Sequence, residues 1–573
     1  MDRCCPPEPS ILKVRADAFR VDGRVAQDGA LVGRRAVALD SRRAVASYNL
    51  GNACRQAGDE RQAIEHFRRA LSLEPRHADW QCNLGNALYQ RLLLDDAEAA
   101  YRASLEIDPR FAAAHNGLAA TLVALGRVDE AETSYRTAIE ADPAASGIHS
   151  GLLLTLHYRH GNDGERLLQS HMSWAKAHHE NVGWLGARSP AELVASGNRR
   201  LNIGYLSADF ARHPVAHFIE GVLAAHDRSR FNIFCYSGVA FPDEVTQRMR
   251  GLCEHWRDVS RAHESWVVNR MYADGIDILV DLGGHSAETL LRLLMHKPAP
   301  LQVTWLGYPN TTGVTEIDYR FTDAYADPEG ETDRFHTEQL VRLEHGFLCY
   351  RPPEDSPEVG GAPSLSAGRV TFGCFNNLAK VTPEIIELWS RLLGRLPGSR
   401  LMLKAYGLSA ESARRDFAAR FAGHGIGDGQ LVLCAPESSH AGHMAKYNEV
   451  DIALDVFPYH GATTTCEALW MGVPVITLAG ATHVSRVGVS ILNRAGLGEL
   501  VAQSADDYLE KARALAGDVE RRSALRKAMR SRLMTSPLLD AAAFTRGIEA
   551  EYRRLWSAFV ASQSGQAEAK DIP

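Results

Sequence analysis

From Leu50 to Pro143, apolar and small positions return every 34 residues. Leu50, Gly51, Ala63, Phe67, Ala70 and Pro75 are followed by Leu84, Gly85, Ala97, Tyr101, Ser104 and Pro109, then by Leu118, Ala119, Ala131, Tyr135, Ala138 and Pro143. The spacing predicts two antiparallel helices per unit. Small residues let the helices approach, the aromatic fills the gap, and proline closes the second helix. Beyond Arg200 the period changes. "LNIGYLS", "FNIFCYS", "IDILVDLGG" and "LQVTWLGYP" read as buried strands with helical stretches between most of them, an alternation that predicts a parallel sheet covered by helices. "RPPEDSPEVGGAPSLSAG" (351–368) interrupts it, and "RVTFGCF", "RLMLKAY", "LVLCAP", "DIALDVFP" and "VPVITLAG" start it again.

The front pattern is the tetratricopeptide repeat, a solenoid whose units bury their apolar faces against one another. Leu152 and Leu156 carry the register into a further helix, and Gly33 to Ala44 read as a decayed repeat. The expected class is α followed by α/β: residues 1–44 a degenerate repeat or cap, 45–185 repeats and capping helices, 200–350 a front lobe, 369–535 a rear lobe, 536–562 a C-terminal helix, and 563–573 a polar disordered tail. Two such sheets in tandem are expected to face each other across a cleft, with ligands at the carboxyl ends of the strands.

Composition narrows the function. The 573 residues carry a net charge of -7, which leaves no basic footprint for nucleic acid. No apolar run reaches the roughly 18 residues of a membrane span, and the start "MDRCCPPEPS" lacks a signal peptide's apolar core. The ten cysteines are scattered without metal-binding spacing, which suits reduced thiols in a cytoplasmic protein.

The candidate chemistry follows the expected strands. "HGATTTCEALWMGVPVIT" (460–477) places Gly461, Ala462, Thr463 and Thr464 where a helix begins. Helix-start N–H groups and threonine hydroxyls suit the oxygens of a diphosphate. No Walker lysine is present. Glu467, one turn on, suits a ribose diol; alternatively, Thr464-x-x-Glu467 forms a capping box that needs no ligand. In "FNNLAK" (375–380), Asn377 could donate to a phosphate and Lys380 could neutralise a departing diphosphate, or Lys380 is a solvated helix-start lysine. The chain has no Asp-x-Asp, so the expected mechanism uses no metal. In "SADFARHP" (207–214), His213 could take a proton from an attacking hydroxyl, with His217 one turn along, or it makes a single backbone contact at a helix start. "DLGGHS" and "WLGYPNTTG" add glycine loops whose amides could approach a sugar. In the solenoid, Asn49 and Asn83 share one repeat position and could grip a peptide backbone, or they serve contacts within the repeat; Gly117 interrupts the series.

Together these motifs resemble the tetratricopeptide-containing protein O-glycosyltransferases, which include O-GlcNAc transferase and the plant Spindly protein. "DLGGH", "KPAPLQVTWLGYPNTTG", "IDYRFTDAYADP", "TFGCFNNLAK", "ATTTCEALWMGVPV" and "VGVSILNRAGLGELVA" are most similar to the Spindly branch. The resemblance implies two Rossmann-like lobes of the GT-B type and inverting transfer of one sugar, from UDP-GlcNAc or GDP-fucose, to serine or threonine of a protein held by the repeats. It puts Lys380 and Asn377 on the diphosphate, Thr463 and Thr464 on phosphate, and Glu467 on the ribose. His440 and the backbone of Ala435 fall near the base, Leu306 and Gly307 beside the sugar, and His213 at the position proposed as base. Ala462 replaces a histidine and Glu437 a base-contacting lysine of O-GlcNAc transferase, and both changes weaken the case for UDP. A binding scaffold with inert lobes and a transferase acting on a small molecule or glycan are the alternatives.

Overall fold

The computed structural model describes residues 43–159, 161, 163–179, 199–286 and 290–570. Cys4, Cys5 and most of the decayed repeat lie outside them. The chain divides into two compact units, residues 1–142 with 406–415, and 143–405 with 416–573.

In the first unit, helices Ala44–Gln56, Glu60–Leu73, Ala78–Gln90, Leu94–Ile107, Ala112–Ala124 and Val128–Ala141 follow the 34-residue period. Leu50, Phe67, Leu84, Tyr101 and Leu118 share one buried core. The small positions are steric necessities. A Cβ on Gly51 would lie 2.7 Å from the Phe67 ring, and one on Gly85 would lie 2.7 Å from the Tyr101 ring. Each aromatic therefore occupies the volume its glycine leaves open.

The second unit holds both sheets, all of whose strands are parallel. The front sheet comprises β1 (Leu201–Ser207), β2 (Phe231–Ser237), β3 (His255–Asp258), β4 (Ile278–Asp281), β5 (Leu301–Thr304), β6 (Tyr319–Thr322) and β7 (Gln339–Arg342). Its order is β3-β2-β1-β4-β5-β6-β7. The rear sheet comprises β8 (Thr371–Cys374), β9 (Arg400–Lys404), β10 (Leu431–Cys434), β11 (Ile452–Leu454), β12 (Val475–Leu478) and β13 (Val501–Ala502), in the order β10-β9-β8-β11-β12-β13. Each order reverses once, between β1 and β4 in front and between β8 and β11 behind. The crevice at such a reversal is where open parallel sheets bind ligands. The four segments leaving these strands are "ADFARHP", "LGGHS", "FNNLAK" and "DVFPYHGATTT", the expected chemistry-bearing stretches.

Two boundaries differ from the sequence reading. Helices Ser146–Leu156 and Gly164–His178, expected with the repeats, group with the lobes. Ser150 Oγ meets His285 Nδ1 at 3.1 Å, and His171 Nε2 meets the Tyr308 hydroxyl at 2.7 Å. These two helices cover the glycine loops of the front sheet. The last helix runs from Ala541 to Lys570, past residue 562 where the tail was expected to lose structure. Its polar end, "ASQSGQAEAK", holds three alanines and two glutamines, which favour continuing a helix already started. Phe544, Ile548, Tyr552, Leu555 and Trp556 of this helix are buried in the front-lobe core, so the chain's end returns to the lobe its first strand began. Among the described residues, no helix is long and apolar enough to cross a membrane.

Candidate active site

The rear switch point cradles the start of a helix. Helix Thr463–Trp470 has Ala462 as its N-cap residue, which leaves the cap without a side-chain acceptor. Thr465 Oγ1 turns back to the Gly461 carbonyl at 3.0 Å, and Thr464 Oγ1 donates to Asn376 Oδ1 at 3.1 Å across the sheet reversal. A Cβ on Gly461 would meet Thr464 Oγ1 at 2.4 Å, so any larger residue here would push the Thr464 hydroxyl aside. The preceding loop is held from below: Gly461 N–H donates to Asp455 Oδ1 at 2.9 Å, and buried His460 sits between the Leu478 carbonyl and the Gly488 N–H. His460 is thus structural.

Lys380 reaches this cradle from the loop after β8. Its Nζ donates to the His460 carbonyl at 2.9 Å and lies 4.0 Å above the centre of the Tyr459 ring. Burial pulls the ammonium down to about 8, against the opposing field of Asp455. The solvated-lysine alternative does not hold, because this lysine is half-buried and fixed by two partners. Asn377 is exposed, and its side-chain oxygen accepts the Ala379 N–H at 3.2 Å. Its carboxamide nitrogen remains the donor available to a ligand.

Glu467 does not form the capping box. The helix starts one residue before Thr464, whose hydroxyl is committed to Asn376, and the carboxylate points elsewhere. Its Oε2 accepts from His443 Nε2 at 2.9 Å and the Tyr447 hydroxyl at 3.3 Å, and its Oε1 lies 3.6 Å from His440 Nε2. Burial pushes this carboxyl up, but the two imidazoles outweigh it and hold it at about 2. The Glu467 carboxylate in turn raises the pKa of His440. His443, Tyr447 and Lys404 behind them escaped the sequence reading. Lys404 ends an apolar strand and His443 falls three residues after His440 on the same short helix. A charged residue closing a buried strand was the available signal.

The front lobe meets this group through His217. Its ring stacks on His440 at 5.9 Å and 22°, and its Nδ1 lies 3.2 Å from the Arg351 carbonyl. His213 is exposed in the turn three residues before the same helix. Its Nδ1 lies 3.4 Å from the Val215 N–H, the expected backbone contact, and also 3.5 Å from Asp209 Oδ1. Desolvation by the protein on the inward side of the ring lowers the pKa of His213, with Asp209 opposing. With Nδ1 turned inward, Nε2 is the nitrogen left to face a substrate.

Strain collects in the glycine loops. Leu306 takes a left-handed φ of 68°, which costs a branched residue energy and commonly marks a functional loop. A Cβ on Gly307 would lie 2.2 Å from the Leu282 carbonyl oxygen. In "DLGGHS", Asp281 accepts the N–H groups of Gly283 and Gly284 and the Thr304 hydroxyl, and His285 Nε2 meets the Thr312 carbonyl at 2.8 Å. Those groups shape the loop from within. "TDAYAD" (322–327) forms a seam to the rear lobe: fully buried Asp327 meets His483 Nδ1 at 2.6 Å, and Asp323 takes the Ser490 hydroxyl. Ala435 is exposed just after β10. In the solenoid unit, Asn83 Nδ2 donates to the Tyr48 hydroxyl at 2.7 Å, a contact between repeats, and Asn49 is exposed.

A family model for glycosyl transferase family 41 matches residues 186–350 and 363–548, and a tetratricopeptide model matches 48–110 and 82–146. The chain belongs to glycosyl transferase family 41. Among relatives, a Solanum lycopersicum protein named "Probable UDP-N-acetylglucosamine--peptide N-acetylglucosaminyltransferase SPINDLY" is 42% identical over 70% of this chain and 43% of its own length. An Arabidopsis thaliana protein with the same enzyme name and the designation SEC is 32% identical over 65% of this chain and 38% of its own. The chain thus spans less than half the length of these relatives. A solved structure of a mutant O-GlcNAc transferase from Thermobaculum terrenum superposes with a TM-score of 0.85 at 35% identity, covering 91% of this chain and 99% of that one. This family 41 chain therefore has the repeat-plus-two-lobe GT-B architecture that its sequence resemblance implied.

Proposed function

We propose that this family 41 protein is an inverting protein O-glycosyltransferase that moves a single sugar from a nucleotide sugar to serine or threonine side chains, with no metal required. The observation that carries the proposal is Lys380 fixed between Tyr459 and the His460 carbonyl at the open start of helix Thr463–Trp470. An ammonium and helix-start N–H groups, set in advance where charge develops, stabilise a leaving diphosphate without reorganisation.

The acceptor hydroxyl oxygen bonds to the anomeric carbon as the bond from that carbon to the β-phosphate oxygen breaks. The electron pair leaves with the nucleoside diphosphate, beside Lys380, Asn377, Thr463 and the backbone N–H of Thr464, whose hydroxyl is already given to Asn376. The hydroxyl proton passes to His213 Nε2, in the tautomer whose Nδ1–H donates to Asp209 Oδ1. Glu467 accepts the ribose hydroxyls, and His440 and the Ala435 backbone border the base. Leu306 and Gly307 flank the sugar. The repeats hold acceptor proteins or peptides, with Asn49 free to grip their backbone.

The names of the relatives support UDP-N-acetylglucosamine as donor. GDP-fucose is the second reading, supported by Glu437: a carboxylate on the exposed loop after β10 suits guanine's N–H donors, whereas uracil offers that edge a carbonyl. The test is incubation with each nucleotide sugar and a cell lysate, followed by mass spectrometry of modified peptides. Sugar on serine or threonine with one donor, absent with Lys380→Met, supports the proposal. Free sugar release with no modified protein points to a small-molecule or glycan acceptor, and neither outcome points to a scaffold.

A further inference from the structure

Glu467 belongs to a chain of three ionisable groups whose two ends are buried. Lys404, at the end of β9, is 3% exposed, and Glu467 is 5% exposed. Half-buried His443 stands between them: its Nδ1 meets the Lys404 ammonium, and its Nε2 meets Glu467 Oε2 at 2.9 Å. The donor capacities fix the order. A lysine ammonium only donates, so Nδ1 is the acceptor and the ring proton sits on Nε2, where it donates to the carboxylate. Lys404 Nζ also lies 4.6 Å from the centre of the Phe375 ring, which gives the ammonium a second favourable surface away from water. The Tyr447 hydroxyl completes the coordination of Oε2. Oε1 carries neither of these contacts and has His440 Nε2 3.6 Å away.

Given the nucleotide-sugar function proposed above, on which this rests, we infer that Lys404 and His443 are positioning residues that hold Glu467 ionised, with Oε2 occupied and Oε1 presented to the ribose hydroxyls of the donor. A buried carboxylate without partners takes up a proton and becomes a donor as well as an acceptor. The Lys404–His443 chain prevents that and sets the rotamer. Neither residue touches the nucleotide in this arrangement. Their effect passes through one hydrogen-bonding pair, the ribose diol and Glu467, which separates them from groups that hold the base or the phosphates. Burial alone does not account for the lysine, because a methionine of similar length would fill the space without desolvating a charge.

The experiment is calorimetric titration with the nucleoside diphosphate that binds, UDP or GDP, and with its 2′,3′-dideoxy analogue. The proteins are the wild type and the Lys404→Met, His443→Leu and His443→Gln variants. A hydrogen bond to a charged acceptor predicts that wild type prefers the ribose form by about tenfold or more. Lys404→Met and His443→Leu are expected to lose that preference by weakening the ribose form alone. His443→Gln is expected to keep most of it, since a carboxamide can accept from Lys404 and donate to Glu467. His443 is half-buried, so its two variants carry the test even if Lys404→Met does not fold. Equal weakening of both ligands, or an unchanged preference, overturns the positioning role while leaving the nucleotide site intact. A wild type that binds neither diphosphate overturns the functional proposal itself.

Discussion

Lys380 and Tyr459 form a fixed pair, with the ammonium 4.0 Å above the centre of the phenol ring. The ring supplies a face that attracts the cation without neutralising it. The lysine therefore stays charged and partly desolvated, the state in which it best meets a diphosphate. Removing its charge is expected to abolish transfer: Lys380→Met should lower kcat/KM by about 10³-fold or more, the scale of losing a main transition-state donor. The thermal unfolding midpoint should stay within a few degrees of wild type. Residual activity above a tenth would remove Lys380 from the leaving-group role.

The alkaline limb of the reaction follows from the same lysine. Lys380 and Lys404 both lie at about 8, lowered by burial. Below that pH both are cations, and above it both lose their charge. The profile of kcat/KM, which reports the free enzyme, should fall above pH 8, whereas kcat should fall at higher pH, because bound diphosphate favours the charged form. Glu467, at about 2, gives no acid limb in the working range. A flat kcat/KM to pH 9.5 would contradict this account of the lysines.

His213 is the expected proton acceptor at Nε2, with Asp209 placed to take its Nδ1–H. His213→Ala should lower kcat by about 10²- to 10⁴-fold with little change in donor affinity. Nucleotide titration alongside rapid-quench turnover separates the two. A loss confined to KM would make His213 a binding group.

Gly307 tests the strained loop. A methyl group there would meet the Leu282 carbonyl oxygen at 2.2 Å, so Gly307→Ala must displace backbone. The expected result is loss of sugar transfer with nucleoside diphosphate binding retained, because the rear-lobe cradle is untouched. Calorimetry with the diphosphate and with the full donor distinguishes these, and normal transfer would show that the loop does not shape the sugar pocket.

His483 joins the lobes through Asp327, and both are almost fully buried. His483→Ala would leave a buried carboxylate with fewer partners, which should cost about 3 kcal/mol of unfolding free energy. Denaturant unfolding reads this directly. A change under about 0.5 kcal/mol would mean that Thr322 and His336 suffice for Asp327.

The long features were legible in the sequence for a physical reason. Repeat spacing and runs such as "LNIGYLS" are set by local periodicity, and Leu201–Ser207 matches its strand residue for residue. Strands such as "HWRD" and the two-residue β13 carry no period that a sequence reading could use; neighbours already in the sheet recruit them. The same holds at the site. Lys380 and the threonines announce themselves by position after strands. Whether Glu467 caps its helix is decided by Asn376, 91 residues earlier, which takes the hydroxyl of Thr464 and removes the local capping box. The Lys404–His443 support could not be read from spacing, because β9 and the helix His440–Ala445 meet only in the folded lobe.

The most direct measurement is calorimetric binding of UDP and GDP, side by side, to the purified protein and to Lys380→Met. One diphosphate is expected to bind the wild type tightly, and the variant to lose at least tenfold in affinity, roughly 1.4 kcal/mol. Wild-type protein that binds neither nucleotide would contradict it.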